Sequence, residues 1–136
     1  MEIGAAREFL RTNHHAVIAT TRKNGRTHLT PITVAVDADG RVIISSVGDT
    51  VKVRNLRRDP HATICVLNDG FFGDWVYLEG PAEIVDQPEA LDLLDDYYRR
   101  AAGEHPNWAE YREAMIRDKR VLIRIDIERA GGALDG

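Results

Sequence analysis

The segment Ser45-Ser46-Val47-Gly48-Asp49-Thr50-Val51-Lys52 leaves an apolar run and enters a basic stretch that continues through Arg54, Asn55, Arg57 and Arg58 to Asp59-Pro60. Read as a strand turning into a short helix, it gathers hydroxyls, free backbone N–H groups and an ammonium, the donor set that an anion such as a phosphate requires. Lys52 falls in the first turn, where the helix dipole disfavours a cation and a bound anion would offset the cost. Arg57 and Arg58 complement the dipole at the other end. Asp49 is expected to cap the helix, leaving Lys52 and the Ser45 and Ser46 hydroxyls to a ligand.

A second candidate lies at Pro31, inside the strand-like run Thr27 to Val36. Proline cannot donate to a sheet ladder, so this position belongs at an edge or a bulge. An exposed edge offers backbone N–H and C=O groups to a flat heteroaromatic ring of flavin type, or simply closes a barrel. Trp75 and Tyr77 follow a glycine-bearing loop and either stack on such a ring or pack into the core. Other chemistries find no support. His14-His15 are adjacent, so a strand points their rings apart, and no His, Cys or carboxylate set has metal-ligand spacing. Cys65 has no histidine placed to activate it, and neither a Gly-x-Ser-x-Gly motif nor a Walker loop occurs. No catalytic acid or base is identified.

The elements that must hold these residues fit one domain of 136 residues, long enough to bury a core of its own. A net charge of −4 argues against nucleic acid as the partner. The single cysteine, Cys65, fits a reducing compartment. With no spanning segment and no signal-peptide pattern, a soluble cytoplasmic protein without membrane contact is expected.

Helical spacing of Ile3, Ala6, Phe9 and Leu10 predicts a first helix that ends before Asn13. Strands are expected at 16–21 and 27–36 around the Asn24-Gly25 turn, then at 41–46 after Asp39-Gly40, and at 62–67 and 75–85. Leu91, Leu94, Tyr98 and Ala101 mark one face of a helix ending at Gly103, and Trp108, Tyr111 and Met115 mark another. The last strand, 120–128, alternates Val121, Ile123, Ile125 and Ile127 with charged residues. These elements imply a mainly β fold with α insertions, about six antiparallel strands in a small barrel.

Four blocks resemble a known family: Asn24-Gly25-Arg26-Thr27-His28-Leu29-Thr30-Pro31-Ile32, Lys52 to Pro60, Glu79-Gly80-Pro81-Ala82, and Arg120-Val121-Leu122-Ile123. They look like the split β-barrel flavin and deazaflavin oxidoreductases related to pyridoxamine phosphate oxidase. The Ala101-Ala102-Gly103-Glu104-His105 turn and the helix from Trp108 to Met115 are most similar to the short branch that uses coenzyme F420. This resemblance implies a six-stranded antiparallel split β-barrel with peripheral helices over residues 1–129, and a loose tail over 130–136. It implies a homodimer with two shared cofactor sites. The backbone of Thr30, Pro31, Ile32 and Thr33 would face the deazaflavin ring, and Ser45, Ser46, Lys52 and Asn55 would hold the phosphate. Arg26 would serve the acidic tail, and Trp75 would come from the partner subunit. The implied activity is hydride transfer from reduced F420 to an electron-poor conjugated or quinone-like small molecule. FMN is the alternative cofactor, and a non-catalytic binder of the cofactor or of a tetrapyrrole is the alternative role. Pyridoxamine phosphate oxidase activity itself is not expected, because the chain has His28-Leu29-Thr30-Pro31-Ile32-Thr33 where an arginine-rich FMN strand would stand.

Overall fold

The computed structural model describes residues 1–134 of the chain. It consists of eight strands and four helices: α1 (Ile3–Thr12), β1 (His15–Thr21), β2 (Thr27–Thr33), β3 (Ala35–Val36), β4 (Val42–Val47), α2 (Val51–Arg58), β5 (His61–Leu67), β6 (Trp75–Val85), α3 (Ala90–Ala102), α4 (Trp108–Arg117), β7 (Arg120–Ile125) and β8 (Arg129–Ala133). All pairings are antiparallel, in the order β2-β1-β5-β6-β7-β4-β3, and β8 also pairs with β6. The mainly β, split-barrel expectation holds.

One strand expected whole divides and an eighth forms beyond the last expected one, which is why eight replace six. The run 27–36 breaks at Val34, where the chain crosses from one edge of the sheet to the other. Val34 is fully buried there and donates its N–H to the His14 carbonyl. The final run breaks after Ile125: Asp126 and Glu128 still bond to Pro81 and Glu79 of β6, but residues 126–128 leave the β7 ladder, with Ile127 buried in the core. Gly80 permits this, since a Cβ at that position would stand 1.7 Å from the Asp126 carbonyl oxygen. Beyond the break, residues 129–133 form β8 against β6, so most of the expected loose tail is strand. Residues 135–136 of that tail lie outside the described residues.

Strand alternation fills the barrel with Ala16, Ile18, Ile64, Val66, Val76, Leu78, Ile123 and Ile125. Burying each larger aliphatic side chain contributes roughly 1.5–3 kcal/mol. A smaller cluster of Ala35, Ile43, Ala90, Leu94 and Leu122 seats α3 on the outside of β4 and β7. The buried face of α3 therefore runs through Ala90, Leu93, Leu94, Tyr97 and Ala101, rotated from the expected Leu91–Leu94–Tyr98–Ala101 stripe.

Candidate active site

α2 enters from β4 as expected, but its start differs. The N-cap is Thr50, whose hydroxyl lies 3.2 Å from the Ser46 Oγ, while Asp49 turns away to pair with Arg54 at 2.5 Å. Asp49 is thus no cap, because a residue on its own helix supplies a stronger, charged partner. The remaining arginines of α2 are also engaged. Arg57 binds Asp86 through two hydrogen bonds, and Arg58 donates to the Thr21 carbonyl and to Asn55 Oδ1. Among the described residues, Lys52 has no hydrogen-bond or ion-pair partner. Its ammonium is partly buried, and that loss of water, reinforced by the nearby Arg120 guanidinium, lowers its pKa.

Lys52 opens into a cleft of about 680 Å³. One pole of the cleft is polar, made by Ser45, Lys52, Arg120 and Thr33, with Pro31 and Ile32 beside it. The other is apolar, made by Tyr98, Ala101, Ala102, Tyr111 and Met115. Tyr97 lies between them, donating its hydroxyl to the Thr33 carbonyl at 3.0 Å. Burial pushes its phenol pKa up, against a backbone hydrogen bond with Ser45 and the Arg120 charge. Tyr111 donates to the Leu94 carbonyl at 2.9 Å and is pushed up to about 12, chiefly by burial and then by Asp95. That bond, the ion pairs of Arg112 with Asp92 and Asp95, and the ring cluster of Tyr98, His105, Trp108 and Tyr111 fix α4 against α3. The apolar wall is therefore built before any ligand arrives.

Arg120 is the strongest feature that sequence reasoning missed. Its Nε is buried without a hydrogen-bond partner, and no carboxylate lines the cleft among the described residues. A buried guanidinium N–H left unpaired is costly, and its natural partner is an anion. Gln87 holds this end of the cleft in place, donating to the carbonyls of Met115 at 2.8 Å and Arg120 at 3.0 Å. The only sequence signal for Arg120 was its place at the head of a motif-bearing strand. Tyr97 carries no sequence signal of its own, since the helical spacing passes through its neighbour Tyr98 while the packed face passes through Tyr97.

The expected site residues separate into two groups. Pro31, Ile32, Thr33, Ser45 and Lys52 meet in the cleft, and Pro31 lies on an edge strand, since β2 pairs only with β1 among the described strands. Thr30, Ser46, Asn55, Arg26 and Trp75 do not line it. Ser46 is buried on the opposite face from Ser45, as strand alternation requires, with its Oγ donating to the Val47 carbonyl. Asn55 is buried and donates to Thr20 Oγ1 at 3.0 Å, pinning α2 to β1 rather than facing a ligand. Arg26 closes the β1–β2 turn on the exposed surface, away from the cleft. Trp75 stacks on Tyr77 with ring centroids 6.3 Å apart, on the outer face of the sheet.

Among solved structures, the fold is similar to a conserved hypothetical protein from Mycobacterium tuberculosis, with 28% identity over 97% of this chain and 84% of that one and a TM-score of 0.79. It also resembles an F420 reductase, at 18% identity over 92% of this chain and 94% of that one, TM-score 0.71. A third similar structure is a heme binding protein from Mycobacterium smegmatis, at 18% identity over 96% of this chain and 53% of that protein, TM-score 0.74. The last two likenesses establish the fold alone. A sequence profile of pyridoxamine 5'-phosphate oxidase matches residues 3–132, so it takes in β1 to β7, all of β8 but its last residue, and every residue that lines the cleft. With barrel, edge strand and cationic cleft all inside that match, the chain belongs to the pyridoxamine 5'-phosphate oxidase family.

Proposed function

We propose that this protein is an F420-dependent reductase of electron-poor conjugated or quinone-like small molecules, acting as a cytoplasmic homodimer. The observation that carries the reading is the pair of unpartnered cations, Lys52 and Arg120, set beside an edge strand and an apolar wall. The residues present fit the cofactor: the orphaned Arg120 Nε and the Lys52 ammonium suit its phosphate, with the Ser45 hydroxyl beside them. Ring recognition falls to the Pro31–Thr33 edge, whose Thr33 carbonyl is oriented by Tyr97. When bound, the reduced deazaflavin supplies a hydride. The protein supplies position and a field, the terms that dominate where chemistry resides in a cofactor.

The homodimer is supported by the outer face of the sheet. Strand registers align Thr33, His15, Leu67, Trp75 and Ala133 in one row and Pro31, Val17, Cys65, Tyr77 and Gly131 in the next. His15 is the only basic side chain in those ten positions, and none of them carries a carboxylate. The same rows run into the cleft at Pro31, Thr33 and His15, so a second copy on this face would border the site.

A second reading, FMN as cofactor, is favoured by the count of cations, since a phosphate monoester carries nearly two negative charges at neutral pH and a phosphodiester one. Fluorescence titration with oxidised F420 beside FMN at equal salt separates the two. The expected result is F420-selective binding, weakened by about 1.5–3 kcal/mol in Lys52→Ala through loss of a charge-assisted contact. FMN preference would move the protein to the flavin reading, and an unchanged affinity in Lys52→Ala would remove the site assignment.

A further inference from the structure

The rim of the cleft holds a histidine that anion binding leaves without a task. β1 sends the adjacent histidines to different places. The His14 ring Nδ1 lies 2.8 Å from the Val34 carbonyl, clamping the crossing between the sheet edges. His15 lines the cleft, directly across the ladder from Thr33. Its Nδ1 stands 3.4 Å from Oδ1 of Asp69, in the loop between β5 and β6. Nδ1 therefore lies beside a carboxylate, and Nε2 is left for a substrate.

Hydride addition to a conjugated acceptor leaves one proton to be supplied. The other cleft side chains are badly suited to give it. The Tyr97 and Tyr111 hydroxyls already donate to the carbonyls of Thr33 and Leu94, and burial makes both phenols weaker acids. The Tyr98 ring packs edge-on against His105, Trp108 and Tyr111 in the apolar wall. Lys52 and Arg120 are matched to the anion, and no carboxylate lines the cleft among the described residues. A general acid works best when its proton is exchangeable near the operating pH, which is the property of imidazole.

We propose that His15 is the catalytic proton donor to the acceptor, oriented by Asp69; this rests on the deazaflavin reading above. For an α,β-unsaturated ketone, the β-carbon gains the hydride from the reduced cofactor, and the alkene electron pair moves to form an enolate. The His15 imidazolium then gives its Nε2 proton to the α-carbon, and the neutral ring regains a proton from water. The acceptor gains one hydride and one proton and is reduced by two electrons, and the cofactor is oxidised by two. The charged and titratable groups facing His15 are Asp69 of the β5–β6 loop and, across the cleft, Lys52, Arg120, Tyr97, Tyr98 and Tyr111.

The test compares wild type with His15→Asn, using reduced F420 and 2-cyclohexen-1-one, alongside titration with oxidised F420. In the variant, F420 affinity stays within about twofold, turnover falls on the order of 100-fold, and the pH profile of the rate changes. NMR provides a readout independent of turnover: the His15 Cε1–H resonance shifts when oxidised F420 is added, and that of His14 does not. Unchanged turnover with the same pH profile, or a His15 resonance that F420 leaves in place, overturns the assignment while the deazaflavin reading stands. Failure of the wild-type protein to bind F420 overturns both.

Discussion

At the scale of single residues, the site is defined by which charges have partners. Arg54, Arg57 and Arg58 stand in the same helix as Lys52, yet Asp49, Asp86 and the Thr21 carbonyl occupy them. Lys52 is left with Arg120 for a neighbour, and both burial and that guanidinium favour loss of its proton. The sign of the pH dependence follows. A lysine whose pKa is lowered by folding holds its proton less tightly in the folded state than in the unfolded one, so the charged cleft costs stability until an anion occupies it. Affinity for a phosphate-bearing cofactor should be steady near neutrality and decline on the alkaline side, below the ordinary lysine range near 10.4. Fluorescence titration from pH 7 to 10 measures this, and Lys52→Arg, which keeps its charge throughout, should show no such decline.

At the scale of elements, the β6 strand holds the two halves of the barrel together. Its first half pairs with β5 and β8, its second with β7, and Gly80 stands where the partner changes. Because the Asp126 carbonyl occupies the space that a side chain would need, Gly80→Ala must push β7 and β8 away from β6. The expected cost is about 1–3 kcal/mol, seen as a fall of several degrees in the thermal midpoint by circular dichroism. A variant as stable as wild type would mean that the segment 126–128 relaxes freely. Since β7 carries Arg120 at its start, this strain reaches the cleft only through the length of that strand, and cofactor affinity should change little.

At the scale of the whole molecule, the barrel buries one face of its strands and leaves the other only partly covered. The rows on that face run from Pro31 through Val17, Cys65 and Tyr77 to Gly131, an apolar surface continuous with the cleft. A charge at its centre should divide a homodimer without harming the barrel, whose core lies on the other face. On the proposed homodimer, Val17→Lys is expected to sediment as a monomer with an unchanged far-UV spectrum and, on the proposed shared site, to bind F420 more weakly. A variant that remains dimeric would place the subunit contact elsewhere.

Much of this was legible in the chain itself. Alternation and turn chemistry are local, so the Asn24-Gly25 and Asp39-Gly40 hairpins, the strand–turn–helix leading to Lys52 and the edge position of Pro31 could be read from neighbouring residues. Their physical causes, a required positive φ, a missing N–H and a helix dipole, act within a few residues. Partnership is not local. Asn55 reads as a polar donor near a phosphate site until Thr20, 35 residues away, takes its amide. Arg120 reads as one more charged residue at a strand start until the fold buries its Nε without a carboxylate. His15 is indistinguishable from His14 until β1 delivers one to a backbone carbonyl and the other to the cleft. Sequence alone determined which groups were available and what local shape carried them; tertiary structure decided which were spent on each other and which remained for a ligand, because that depends on distances between segments far apart in the chain.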